Sequence, residues 1–131
     1  DERGFHYIVG RIKDMIRRSN ENIAAREIEA VIRTLPEIEE VAAIGVPDDI
    51  RREEVKLYVQ LKPGQTRATC PVERIIEHCR ANLAPFKVPR FYAYLDEIPR
   101  ISPTKVSKQA LKTATTDLRA GSFDLTVGRW L

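Results

Sequence analysis

The residues best suited to chemistry in this chain are basic, and they cluster at 11–18, 87–90 and 100–112. Ammonium and guanidinium groups hold phosphate and carboxylate oxygens. The stretch "PRISPTKVSK", residues 99–108, combines two prolines, two serines, a threonine and three basic residues with only Ile101 and Val106 apolar. By composition alone Lys105 is a solvent-facing lysine beside a short strand, and the basic clusters are solvated faces. Cys70 and Cys79 match no zinc-ligand spacing, and His6 and His78 lie far from each other in the sequence. All four read as structural or surface residues, and no metal site is expected. The sequence contains no Gly-rich phosphate loop.

The chain has 131 residues, room for one domain and a fragment of another. It starts on Asp, so a piece of a longer protein is expected. Hydrophobic residues make up 43% and charged residues 31%, which suits a globular domain with a modest core. A net charge of +3 does not by itself argue for nucleic acid, so no such partner is expected. No apolar run approaches the roughly 18 residues of a membrane helix. No signal peptide is visible, and reduced cysteines suit the cytosol, so a cytoplasmic location is expected.

Periodicity supplies the elements that position these residues. Phe5, Tyr7 and Val9 alternate as a strand, and "RIKDMIRR" reads as a connector with a second short strand before a "SNEN" turn. Ile28, Val31, Ile32 and Leu35 share one helical face, and Pro36 stops that helix. "EEVAAIGVP" reads as a buried strand. "EVKLYVQLK" reads as a half-buried one through Val55, Leu57, Val59 and Leu61. A second helix follows Pro71, with Val72, Ile75, Ile76, Cys79 and Leu83 as its stripe. "FYAYL" is a strand, "DEIPRISPT" a loop, and "KVSKQALKTA" begins extended and closes in a helical turn. The expected fold is α+β: a βαββαβ core of a small sheet with two helices on one face, preceded by a short hairpin-like segment. From Thr115 the pattern weakens and reads as a tail.

Five stretches in this order, "GRIKDMI", "ENIAAREIE", "VAAIGVPDDIRREEVKLYV", "FKVPR" and "IPRISPTKVSK", closely resemble the C-terminal domain of the acyl- and aryl-CoA synthetases. These belong to the adenylate-forming, AMP-binding superfamily. The resemblance covers roughly residues 3–112. It implies that 1–10 are the end of a large N-terminal adenylation domain and the approach to a hinge. Residues 11–114 are then the mobile C-terminal domain, and 115–131 the tail. In this family a carboxylic acid attacks ATP to give an acyl-adenylate and pyrophosphate, and a thiol, commonly that of coenzyme A, then displaces AMP. The large domain holds ATP, Mg2+ and the acid. The small domain supplies a lysine for the first half and rotates for the second.

Residue by residue, Lys105 matches the catalytic lysine of the motif Pro-Arg-Thr-x-x-Gly-Lys, with Thr104 in place of the glycine and Ile101 in place of the threonine. A compact ammonium can hold the attacking carboxylate and the α-phosphate together. Lys13 matches the hinge, where one backbone rotation carries a domain. Arg11 matches an arginine near ribose and phosphate; its other reading is a salt bridge to the large domain. Ser19 and Asn20 stand where the family has two glycines lining the pantetheine passage. Phe86, Lys87, Arg90 and Arg51 are candidates for the CoA nucleotide. Their other readings are core for Phe86 and solvated charge for the rest.

Two alternatives stay beside the acid–CoA ligase reading. One is an adenylation domain that loads a phosphopantetheinyl carrier protein. The other is a non-catalytic α/β binding module in which Lys105 is dispensable. The isolated chain is expected to be inactive. The acid is selected in the large domain and is not readable here.

Overall fold

The computed structural model describes residues 15–19, 21–48, 52–102, 105–113 and 118–131. The strand expected at 5–9, and the site candidates Arg11, Lys13, Asn20 and Arg51, lie outside the described residues.

A hairpin opens the described fold: β1 (Met15–Arg18) pairs antiparallel with β2 (Glu21–Ala24), with Ile16 opposite Ile23. The turn between them holds Ser19 at φ 55. Helix α1 (Ala25–Arg33) follows at once and ends at Thr34, whose hydroxyl donates to the Val31 carbonyl at 2.6 Å. Pro36 lacks the amide hydrogen that a further turn would need. Next come the two long strands, β3 (Ile38–Asp48) and β4 (Arg52–Leu61), paired antiparallel with Ala43 opposite Leu57. Helix α2 (Val72–Asn82) crosses over to β5 (Phe91–Tyr94), which runs parallel to β4. A separate two-stranded hairpin, β6 (Arg100–Ser102) and β7 (Lys105–Val106), leads into α3 (Lys108–Thr113). Two short strands close the chain: β8 (Phe123–Asp124) pairs with β5, and β9 (Arg129–Trp130) pairs with β8.

Residues 56–59 of β4 pair with β3 on one edge and β5 on the other, so β4 is central. Both of its faces are covered. Val55, Leu57 and Val59 meet Ile28 and Ile32 of α1 and Ile75 and Cys79 of α2 in one cluster. The opposite face buries Tyr58 with Ala42, Ile44, Ile98 and Leu111 under the β6–β7 hairpin and α3. The sequence pattern predicts a half-buried β4; instead residues 54–59 are all buried, because the segments after β5 form a second cover. Each such apolar side chain contributes about 1.5–3 kcal/mol relative to exposure. The architecture is α+β, with α1 and α2 together on one face as the periodicity predicts. Among the described residues no helix is long and apolar enough to cross a membrane.

Candidate functional site

Two surfaces gather the chemistry-bearing side chains, one on each side of the sheet. The first is the β6–β7 hairpin. Here the backbone of Lys105 pairs with Ser102, and Arg100 pairs with Val106. The Ser107 amide donates to the Pro99 carbonyl at 2.8 Å and closes the hairpin base. The Ile98 amide donates to Gln60 Oε1 at 2.8 Å, and the Ile98 side chain is fully buried. The hairpin therefore stands on a rigid root. Val106 packs down against the second core cluster, while Ile101 is 66% exposed. An exposed isoleucine on a strand beside a lysine leaves this surface partly apolar.

The second surface is a groove of about 470 Å3 at the C-terminal end of α2. Arg18, Arg80 and Arg90 line it together with Glu54, Pro85 and Leu125. Arg18 Nε donates to Glu54 Oε1 at 2.7 Å. Arg90 grips Asp124 with two bonds, Nε to Oδ1 at 3.0 Å and Nη2 to Oδ2 at 3.1 Å, and its Nη1 lies 3.6 Å from Glu54 Oε2. Burial alone would raise the Asp124 pKa. The Arg90 hydrogen bonds and charge, with the Thr126 and Val127 amides, outweigh that and hold it below the usual carboxylate value. Three guanidinium groups against two carboxylates leave the groove positive by one charge. Arginine forks suit the paired oxygens of phosphate.

The candidates from sequence divide between these surfaces and the interior. Lys105 stands on the hairpin. Ser19 sits in the β1–β2 turn directly after Arg18, and Arg18 and Arg90 line the groove. Phe86, in the 3-10 turn Pro85–Lys87, is half-buried and packs against the helix-side core. Lys87 Nζ donates to both oxygens of Glu27, at 2.8 and 3.0 Å. Arg18, Arg80, Glu54 and Asp124 were not singled out from sequence. Arg18 belonged to a basic run, but nothing local joined it to Arg80 or Arg90.

Among the described residues no group of three or more His, Cys, Asp or Glu is placed to hold a metal ion. Cys70 and Cys79 are free thiols in the interior. His78 Nε2 lies 3.0 Å from the Val31 carbonyl and 2.7 Å from Thr34 Oγ1, tying α2 to the end of α1.

Comparison with known proteins places this arrangement. The family described as AMP-binding enzyme C-terminal domain matches residues 27–105. The crotonobetaine/carnitine–CoA ligase of Proteus mirabilis (strain HI4320) is 42% identical over 112 residues, which are 86% of this chain and 21% of that protein. The acyl-CoA synthetase of Brucella canis superposes with a TM-score of 0.70 at 30% identity, over 77% of this chain and 19% of that one. The fatty acyl CoA synthetase of Mycobacterium tuberculosis gives 0.69 at 33% identity, over 79% and 20%. The chain thus spans about a fifth of the length of the relatives it matches.

Proposed function

The chain belongs to the AMP-binding enzyme C-terminal domain family, and from that premise we propose that it serves an ATP-dependent acid–CoA ligase as its small domain. In this reading Lys105 enters the large domain's cleft during adenylation. The acid's carboxylate oxygen attacks the α-phosphorus of ATP, the new C–O–P link forms, and the bond to pyrophosphate breaks. The Lys105 ammonium holds the negative charge shared by the attacking carboxylate and the α-phosphate oxygens. The domain then turns about Lys13, within the 11–114 unit that begins after residue 10. The coenzyme A thiol attacks the acyl carbon, AMP leaves, the thioester forms, and the thiol proton passes to solvent.

The observation that carries the reading is the position of Lys105. It is the last residue of the matched stretch 27–105 and the first of β7, on a hairpin rooted in the core. A lysine on a rooted two-stranded projection can reach a neighbouring domain while the sheet stays intact. The positive groove of Arg18, Arg80 and Arg90 lies elsewhere on the domain, as a two-conformation cycle requires. In this reading Ser19 and Asn20 would border the pantetheine arm. Arg90, Lys87, Phe86 and Arg51 would meet the CoA nucleotide, and Arg11 would meet the ribose and phosphate of ATP. The carnitine-type names of relatives describe those proteins, and the acid of this one is selected outside the domain.

The test is ATP–pyrophosphate exchange by the full-length protein over a panel of carboxylic acids, wild type beside Lys105→Ala. The variant is expected to slow exchange by about 100-fold or more, while thioester formation from preformed adenylate changes little. Equal loss in both halves would refute the assignment. Exchange without thioester on adding CoA would favour a carrier-protein acceptor.

A further inference from the structure

The β6–β7 hairpin is too small to place itself. It has three residues in one strand and two in the other, and it forms its own sheet apart from the main one. A two-stranded hairpin is marginal in water. Its placement depends on how its ends are tied. Pro99, Ile98 and Gln60 tie the entry, and the exit runs straight into α3.

The exit is tied by a side chain from the opposite side of the sheet. Glu29 belongs to α1, in the helix layer, and only 6% of it is exposed. Among the described residues β3 pairs with β4 alone, so its other edge presents unpaired backbone groups. Glu29 Oε2 reaches this edge and accepts the Ala43 amide hydrogen at 2.9 Å. The same oxygen lies 2.8 Å from Lys108 Nζ, on the first residue of α3 and three residues after Lys105. Two residues along the edge the pattern repeats. Glu40 Oε1 accepts the Val41 amide hydrogen and an Arg33 hydrogen, both at 3.0 Å, and its Oε2 lies 3.4 Å from Arg100 of β6. Two carboxylates thus cap successive outward amides of β3 and each takes a cation from the hairpin layer. Glu29 is buried and Glu40 half-buried, and carboxylates held by several hydrogen bonds have little freedom, so the cations they hold are fixed in position.

We propose that Glu29, through Lys108, is a positioning residue for Lys105: it straps the hairpin's exit around the free edge of β3 and so sets where the lysine stands. Glu40 and Arg100 form the weaker second strap. The inference rests on the reading of Lys105 given above. It does not require Glu29 to touch any substrate. A displacement of about 1 Å in a reacting group can cost about 100-fold in rate, which is the scale on which a strap matters.

Glu29→Gln is the discriminating variant, because the amide oxygen still accepts the Ala43 hydrogen while the charge that holds Lys108 is gone. Lys108→Met removes the other partner, and Lys108→Arg keeps the pair. In the full-length protein, Glu29→Gln and Lys108→Met are each expected to slow pyrophosphate exchange about 10-fold. Thioester formation from preformed adenylate should stay within about twofold, and Lys108→Arg should stay near wild type. The double variant should lose no more than either single one, as partners in one interaction do. Loss of both half-reactions together, failure of Lys108→Arg to retain activity, or additive losses would overturn the strap. Lys105→Ala is run alongside. If it abolishes exchange while Glu29→Gln and Lys108→Met do not slow it, the strap alone is wrong. If it leaves exchange intact, the reading of Lys105 falls and takes the strap with it.

Discussion

Replacing Asp124 by Asn should loosen the C-terminal strand from the sheet. The carboxylate is 4% exposed and meets Arg90 in a two-bond fork at 3.0 and 3.1 Å. Asn keeps the shape but offers one acceptor, and its amide group turns a donor toward a guanidinium donor. Arg90, itself 20% exposed, would keep the longer contact to Glu54 at 3.6 Å. A charge-assisted hydrogen bond contributes about 1.5–3 kcal/mol, so a loss of about 2 kcal/mol is expected after the residual contacts are allowed for. With unfolding entropy near 2.1 cal/mol/K per residue, that lowers the melting midpoint of the chain by about 7 °C. Thermal melting followed by circular dichroism reads this directly. Hydrogen exchange at the Leu125 amide, which donates to the Arg90 carbonyl at 2.8 Å, should quicken by about 30-fold for the same energy. The pH dependence has a defined sign. A carboxyl whose folded pKa is depressed contributes stability above its unfolded value, near 3.9, and loses it as pH falls through the folded value. Wild type should therefore weaken more steeply than the variant below about pH 4. A melting shift under about 1 °C with unchanged exchange at Leu125 would refute the claim that this fork anchors the strand.

Two further outcomes follow from the interior and from the first turn. Cys79 is fully buried and its thiol is pushed up to about 12, mainly by burial, while Cys70 is also raised for the same first reason. Neither should take up iodoacetamide at pH 8 in the folded chain, and both should in urea, as intact-mass measurement would report; rapid labelling of Cys79 in the fold would contradict its placement. Because the raised thiol favours the protonated form, its stabilising effect is complete below the unfolded value near 8.5 and is lost as pH rises toward 12. Ser19→Gly removes the Cβ penalty at φ 55 and should stabilise the chain by about 0.5–1 kcal/mol in a urea titration; a lower urea midpoint would show that contacts of the serine matter more than its backbone.

The helices and long strands were legible because their periods run for two turns or more. Ile28 and Ile32, or Val55, Leu57 and Val59, repeat often enough to identify a face. The shorter elements leave no period. "ENIA" reads as the end of a turn and the start of a helix, yet Glu21–Ala24 pairs with β1. Arg100–Ser102 sits in a proline-rich loop by composition, and Phe123–Asp124 is two residues long. The covering of β4 on both faces was likewise hidden, since Lys56 looks like a solvent-facing position. It is 2% exposed, with Nζ donating to the Leu118 carbonyl at 2.7 Å. The family motif singled out the hairpin lysine, Lys105, as a candidate. The arginine groove was not legible, because Arg18, Arg80 and Arg90 meet only through folding.

The position of Trp130 gives the domain an optical label of its own. It is the chain's sole tryptophan, and it stands on β9 against Tyr94 and Phe123, with centroids 6.1 and 5.5 Å away. The Arg67 guanidinium lies over both Tyr94 and Trp130, at 4.7 and 5.0 Å. Indole emission responds to the charge and water beside the ring. Its colour and intensity therefore report whether the last strand is seated, while the far-ultraviolet signal of α1 and α2 reports the rest. Attachment of the final segment and melting of the body can be followed separately in one sample, with no dye or tag added.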